Sequence, residues 1–201
     1  GTSISLIGID KNYHSKRNNF FAFWLTDWMK DFDSLAQKKW FCWNFYLTNN
    51  HIKHETKDLP YCIIRYQDWK NYCLKGLENL SIKEFNVQSI TNLKKYYEIK
   101  LENGEEIFAK KIYDSRTPKL ENEKLKQHFF GYLIETKQMI NSNSVTLMDF
   151  RVEQKMGLHF MYCLPIDENR MLVESTVFSS EIQKDDWYQK QILEYIETKL
   201  N

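Results

Sequence analysis

Carboxyl groups set into apolar strands are the residues of this sequence best suited to chemistry. Glu174 stands in the middle of MLVESTVF, Asp149 near the end of VTLMDF, and Asp114-Ser115-Arg116 follows IFAKKIY. A carboxyl flanked by apolar residues loses hydration, its charged form is disfavoured, and an acid kept neutral can donate a proton. Each acid alone also fits a plainer description, a strand-end carboxylate facing water or paired with an arginine. Asp10 ends the apolar run SISLIGID, where a strand of a dinucleotide-binding unit presents an acid to a ribose hydroxyl; it equally fits a polar turn.

Other chemistries lack their signatures. No G-x-S-x-G, P-loop, H-E-x-x-H or C-x-x-C occurs. Cys42, Cys62, Cys73 and Cys163 lie far apart and read as buried free thiols of a reducing compartment rather than a zinc site. His51 and His54 read as solvated residues of a polar loop, so no metal is expected. Lys+Arg 28 against Asp+Glu 27 leaves a net charge of +1, and the basic pairs are scattered, which argues against a nucleic-acid partner. No signal peptide is visible and no apolar run is long enough to span a bilayer, so a cytoplasmic protein is expected, with attachment to a membrane surface left open. The aromatic share of 15% either fills a large core or lines a pocket for an extended apolar ligand.

The elements that must hold the acids follow from periodicity. Residues 3–9 read as a central parallel strand, 40–47 as a strand, and 61–77 as a strand tip entering an amphipathic helix that stops near Gly76. Residues 82–90 alternate as one strand, and 96–101 and 106–112 flank Asn103-Gly104, the signal of a type I′ hairpin. Residues 129–136, 145–152, 159–164 and 170–178 read as an antiparallel meander. Trp187, Ile192, Tyr195, Ile196 and Leu200 then recur at nearly helical spacing. The sum is an α/β or α+β fold with two interleaved parts.

Several blocks, in order, resemble the lycopene cyclase family, the flavoproteins that close the ends of linear carotenoids. NNFFAFW (18–24) resembles the family's N-x-T-W-S-F-W block, with Phe20 and Ala22 in place of Thr and Ser, and Tyr113-Asp114-Ser115-Arg116 resembles its D-S-R turn. QHFFGYLIE (127–135) resembles Q-x-F-x-G-x-x-V, and VTLMDFR (145–151) matches nearly letter for letter. GLHFMYCLPIDENRMLVESTVFS (157–179) resembles the hairpin ending in L-V-E-x-T, whose plant version reads F-L-E-E-T; Ser175 replaces the second glutamate. The family's G-x-G-x-x-G turn is not in this sequence, which opens on Gly1 and is expected to be a fragment that also lacks the C-terminal part.

The resemblance implies an incomplete Rossmann-like FAD-binding domain interleaved with an antiparallel-sheet substrate domain. Residues 1–118 would be the partial FAD-binding domain with inserted strands and helix, 119–185 the substrate part, and 186–201 the start of a helical segment. The implied reaction forms β-ionone rings on lycopene, or a related linear carotenoid, by acid-catalysed isomerisation. Reduced FAD is needed without net redox change, with NADPH as reductant. Glu174 would be the acid-base carboxyl and Asp149 a second candidate. Asp10 would contact the adenosine ribose, and Asp114, Ser115 and Arg116 would lie near the flavin. Phe23, Trp24, Phe130 and Tyr162 would line the substrate site, and the protein would sit peripherally on a membrane. A different flavin enzyme of this broad fold, such as a prenyl-lipid reductase or hydroxylase, and a non-catalytic carrier of hydrophobic ligands are the alternatives.

Overall fold

The computed structural model describes residues 4–15, 19–117 and 124–200. Along the chain the strands are β1 (Leu6–Ile9), β2 (Phe20–Trp24), β3 (Lys38–Trp40), β4 (Cys42–Leu47), β5 (Asn50–Glu55), β6 (Tyr61–Arg65), β7 (Leu80–Lys83), β8 (Val87–Asn92), β9 (Tyr97–Leu101), β10 (Glu106–Ala109), β11 (Lys126–Glu135), β12 (Val145–Asp149), β13 (Leu158–Pro165) and β14 (Arg170–Ser179). The helices are a 3-10 segment Asp27–Leu35, α1 (Tyr66–Leu74) and α2 (Asp185–Tyr195), which runs on into a π-helical stretch Ile196–Leu200. Two compact units result, the first from residues 1–19 and 66–119, the second from 20–65 and 120–201. The mixed α/β class expected from the sequence is the class observed.

In the first unit β1 pairs with β7 in parallel, so Leu6–Ile9 of the run 3–9 form a parallel strand, but among the described residues in a two-stranded sheet rather than at the centre of a larger one. β8, β9 and β10 make an antiparallel sheet, with Ile99, Leu101 and Ile107 buried on it. The stretch 82–90, expected as one strand, is divided between β7 and β8, which belong to different sheets. The hairpin at Asn103-Gly104 forms with a different turn. The amide of Gly104 donates to the Leu101 carbonyl at 3.0 Å, and the amide of Leu101 to the Glu105 carbonyl at 2.9 Å. Among the described residues Lys94 is the only non-glycine with positive φ, whereas Gly104 has φ 86°. A type I′ turn needs positive φ at both central residues; a three-residue loop ending in one left-handed glycine does not, and Asn103 instead caps the amide of Glu105.

The second unit holds a six-stranded sheet in the order β11-β14-β13-β12-β4-β5 and a three-stranded sheet β2-β6-β3. The expected meander is therefore corrected. β12, β13 and β14 follow one another, but β11 pairs with β14, and β12 runs parallel to β4. Residues 40–47 break at Phe41, leaving β3 in one sheet and β4 in the other. One face of the large sheet packs against the small one through Trp40, Trp43, Tyr61, Ile63, Val145, Leu147 and Leu164. The other face receives α2, where Ile192 and Tyr195 meet Met161, Cys163, Met171 and Val173. Alternation of side chains along β14 serves both cores, because odd and even positions face opposite ways.

Candidate active site

β14 carries Glu174 at a position whose neighbours are set by pairing on both sides. Across β13 it opposes Tyr162, and across β11 it opposes Gly131. Leu172 and Tyr162 belong to the core beneath the three-stranded sheet, so alternation puts Glu174 on that face. β6 brings Tyr61 there, and its hydroxyl shares a 2.6 Å hydrogen bond with that of Tyr162. Trp24, from β2, packs edge-on against Tyr61 at 4.8 Å between ring centres and against Trp43 at 6.0 Å. The glutamate thus stands beside a pair of phenols at the margin of an aromatic core.

The carboxyl has one hydroxyl partner, Thr176, whose Oγ1 donates to Oε1 at 2.9 Å. Burial pushes its pKa above the usual carboxylate range, and the Thr176 hydrogen bond only partly offsets this. Tyr162 is likewise raised by burial, by the Tyr61 phenol and by Glu174. Phenols that resist ionisation leave this site able to hold a proton but poor at holding a negative charge.

Asp149 has the opposite surroundings. Between Thr146 and Asp149 the register against β13 advances three residues on β12 but two on β13, from Cys163 to Met161. This bulge reverses the alternation of β12. Val145 and Leu147 face the three-stranded sheet, whereas Asp149 turns toward α2 and is fully buried. There its Oδ2 accepts from Tyr195 Oη at 2.8 Å and from Arg151 at 2.6 Å, while Oδ1 accepts from the Arg151 Nε at 2.9 Å and backbone amide at 3.0 Å. Burial raises its pKa, but Arg151 and Tyr195 together outweigh burial, and the carboxyl is held below its ordinary value. Glu174 and Asp149 therefore lie on opposite faces of one sheet, in opposite protonation regimes.

The remaining expected site residues separate in the same manner. Phe130 lies on the α2 side, stacked on Tyr188 at 6.3 Å. Tyr162 and Trp24 lie on the Glu174 side. Phe23 pairs in register with Cys62 of β6, one position off the alternation that Trp24 follows. In the first unit Asp10 follows β1; its amide donates to the Lys83 carbonyl at 3.1 Å and its Oδ1 accepts from the Asn12 amide at 2.9 Å. Asp114-Ser115-Arg116 is an exposed turn closed on itself, with Arg116 donating to both Asp114 oxygens at 2.9 and 2.8 Å and to the Val87 carbonyl at 3.2 Å. Those Arg116 hydrogen bonds bring the Asp114 carboxyl down to about 2.

His51 and His54 lie on β5 rather than in a loop, their rings stacked on Tyr46 at 4.3 Å and Trp43 at 4.8 Å. The four thiols are free, but only Cys62 and Cys163 are buried; Cys73 is exposed. Among the described residues no three of His, Cys, Asp or Glu gather as a metal site. A cavity of about 660 Å³ opens at the β13–β14 turn. It is lined by charged groups such as Lys38, Asp167 and Arg170 and does not include Glu174. Such a lining suits water better than an apolar ligand.

Tyr61, Thr176 and Gly131 complete the surroundings of Glu174, and sequence reasoning did not single them out. The one available signal is a glycine inside the strand run QHFFGYLIE, since glycine in a strand interior often marks a close approach.

The family described as lycopene cyclase protein matches residues 2–200. A lycopene beta-cyclase of Pseudescherichia vulneris is 31% identical over 90 residues, which cover 44% of this chain and 23% of that protein. Among solved structures, a geranylgeranyl bacteriochlorophyll reductase-like protein from Thermoplasma acidophilum superposes with a TM-score of 0.66 at 9% identity, covering 97% of this chain and 56% of the other. HpxO of Klebsiella pneumoniae, solved with FAD and uric acid, gives 0.57 at 9% identity over 96% and 61%. The 2,6-dihydroxypyridine-3-hydroxylase of Arthrobacter nicotinovorans gives 0.57 at 9% over 87% and 50%. The chain thus spans 50 to 61% of the length of these three structures.

Proposed function

The chain belongs to the lycopene cyclase protein family, and from that premise we propose that it closes β-ionone rings on a linear carotenoid such as lycopene, with Glu174 as the acid. One observation carries the reading. Glu174 is a carboxyl pushed upward by burial, held by a hydroxyl and set among aromatic and aliphatic side chains. Such a group holds its proton to higher pH than an exposed carboxyl and has little to offer a charged substrate, but it suits an alkene.

The proton on Glu174 passes to a terminal carbon–carbon double bond of the substrate. The neighbouring double bond supplies the electron pair for the new ring bond, and a proton is lost from the ring to leave its double bond. Atoms and electrons are conserved, so the product is an isomer. The carboxylate left behind is stabilised by Thr176, and the faces of Tyr162, Tyr61 and Trp24 offer electron density to a nearby cation while excluding water. We assign Asp149 to holding α2 on the sheet rather than to proton transfer, because its oxygens already accept four hydrogen bonds.

We assign the FAD contacts to the first unit. Asp10 closes a parallel strand where a ribose hydroxyl would be received, and the Asp114–Arg116 turn would lie near the flavin. When bound and kept reduced, with NADPH as reductant, the FAD would supply electron density that favours a cationic intermediate. Peripheral attachment to a membrane follows from the solubility of the substrate. A flavin reductase acting on a prenyl lipid is the second reading, favoured by the likeness in fold to the Thermoplasma structure.

The complete protein expressed in lycopene-accumulating bacteria tests the assignment. Glu174→Gln is expected to abolish β-carotene formation, and parental output from that variant would remove Glu174 from the chemistry. The mass of the product separates the readings, since cyclisation leaves it unchanged and reduction adds hydrogen.

A further inference from the structure

We propose that Gly131 is a specificity-determining residue, keeping one flank of the Glu174 carboxyl clear so that the branched alkene end of the substrate reaches it. The inference rests on Glu174 being the proton donor. Gly131 lies in the middle of β11, the edge strand of the six-stranded sheet, directly across from Glu174. Glycine weakens a strand interior, since it has no side chain to pack and more backbone freedom to lose. Neither usual reason for tolerating that weakness applies. Gly131 is not among the residues with positive φ. A Cβ built on it would lie 3.4 Å from Glu174 Cβ, 3.4 Å from the Val173 carbonyl and 3.5 Å from Glu174 Cγ, distances at the close end of ordinary contact.

What glycine supplies is the volume beyond that Cβ. A longer side chain at 131 would run beside the glutamate stem toward its carboxyl. On the same face of β11 the flanking residues are Phe129, 61% exposed, and Leu133, 44% exposed. Four residues of strand separate them by about 13 Å. The flank of Glu174 beside Gly131 is thus bounded along β11 by an aromatic and a branched aliphatic side chain. A branched hydrocarbon end fits that lining, and a polar or charged group does not.

Gly131→Val and Gly131→Ala in the complete protein, each compared with Glu174→Gln, test this. Valine favours strands, so Gly131→Val is expected to melt at or above the parental temperature. Its cyclisation rate should nevertheless fall by about tenfold or more, the scale on which filled apolar pockets discriminate. Because the added side chain also excludes water from Glu174, the loss of activity at high pH should move to higher pH, a shift that a purely structural role would not produce. Gly131→Ala should lie between parent and valine in both measures. A folded Gly131→Val with parental rate and pH profile overturns the inference. If valine prevents folding, parental behaviour of Gly131→Ala in both measures does the same. Should Glu174→Gln remain active, the underlying assignment of the acid fails instead.

Discussion

Two carboxyls on opposite faces of one sheet make opposite contributions to stability. For Glu174 the folded-state pKa is raised, so between its ordinary value of about 4.3 and the higher folded value the native state holds the extra proton. Stability from this group therefore falls as pH rises through that window. Glu174→Gln is expected to match the parent near pH 4 and to exceed it at pH 7, as read from urea midpoints at both values; lower stability at pH 7 would contradict the desolvated site. Asp149 has a depressed folded pKa, so its contribution is present above the unfolded value and is lost as pH falls through the folded one. Asp149→Asn leaves Arg151 without its counter-charge and should lose about 3 kcal/mol at pH 7. The loss should narrow as pH falls below about 4, where the unfolded chain's carboxyl begins to take up a proton that the folded one still refuses.

At the scale of elements, β14 and the bulge in β12 decide which residues share a surface. Each strand run around them is legible from its alternating pattern, and the observed β13 and β14 differ from the expected ranges by a residue at most at each end. The bulge is not legible, because one extra residue in VTLMDF leaves the composition unchanged and shows only in the pairing. The same limit applied to Phe130, whose run could be placed as a strand but whose face depended on β14 and α2. α2 depends on burial of one stripe, and Ile192, fully buried against Met161 and Val173, should cost about 3 kcal/mol when cut to alanine. Gly157, entering β13 with φ 133°, has a backbone reason to be glycine. A Cβ there would collide with the Phe178 carbonyl and lie 2.9 Å from Ser179 Cβ. Gly157→Ala should therefore destabilise by about 2 kcal/mol or more, measurable by thermal melting.

At the scale of the whole molecule, each compact unit is assembled from two stretches of chain, so neither can close until distant segments have met. Among the described residues no helix is long and apolar enough to cross a membrane. A surface group suited to the proposed attachment is Trp28, 79% exposed on the 3-10 segment. The complete protein is expected to co-sediment with liposomes, and Trp28→Ser to lower the bound fraction; a protein that stays in the supernatant would remove the membrane from the proposal. Local pattern was enough to establish the mixed fold class, the runs of β12, β13 and β14, the hairpin position, the closing helix and the ordered blocks that mark the family. Those signals lie within a few residues of one another, and side-chain alternation or helical spacing writes them directly into the chain. Tertiary structure alone decided that Glu174 meets Tyr162, Tyr61 and Gly131 while Asp149 meets Arg151 and Tyr195. Partners on neighbouring strands are chosen by pairing register and by one bulge, and both arise from contacts between segments far apart in the sequence.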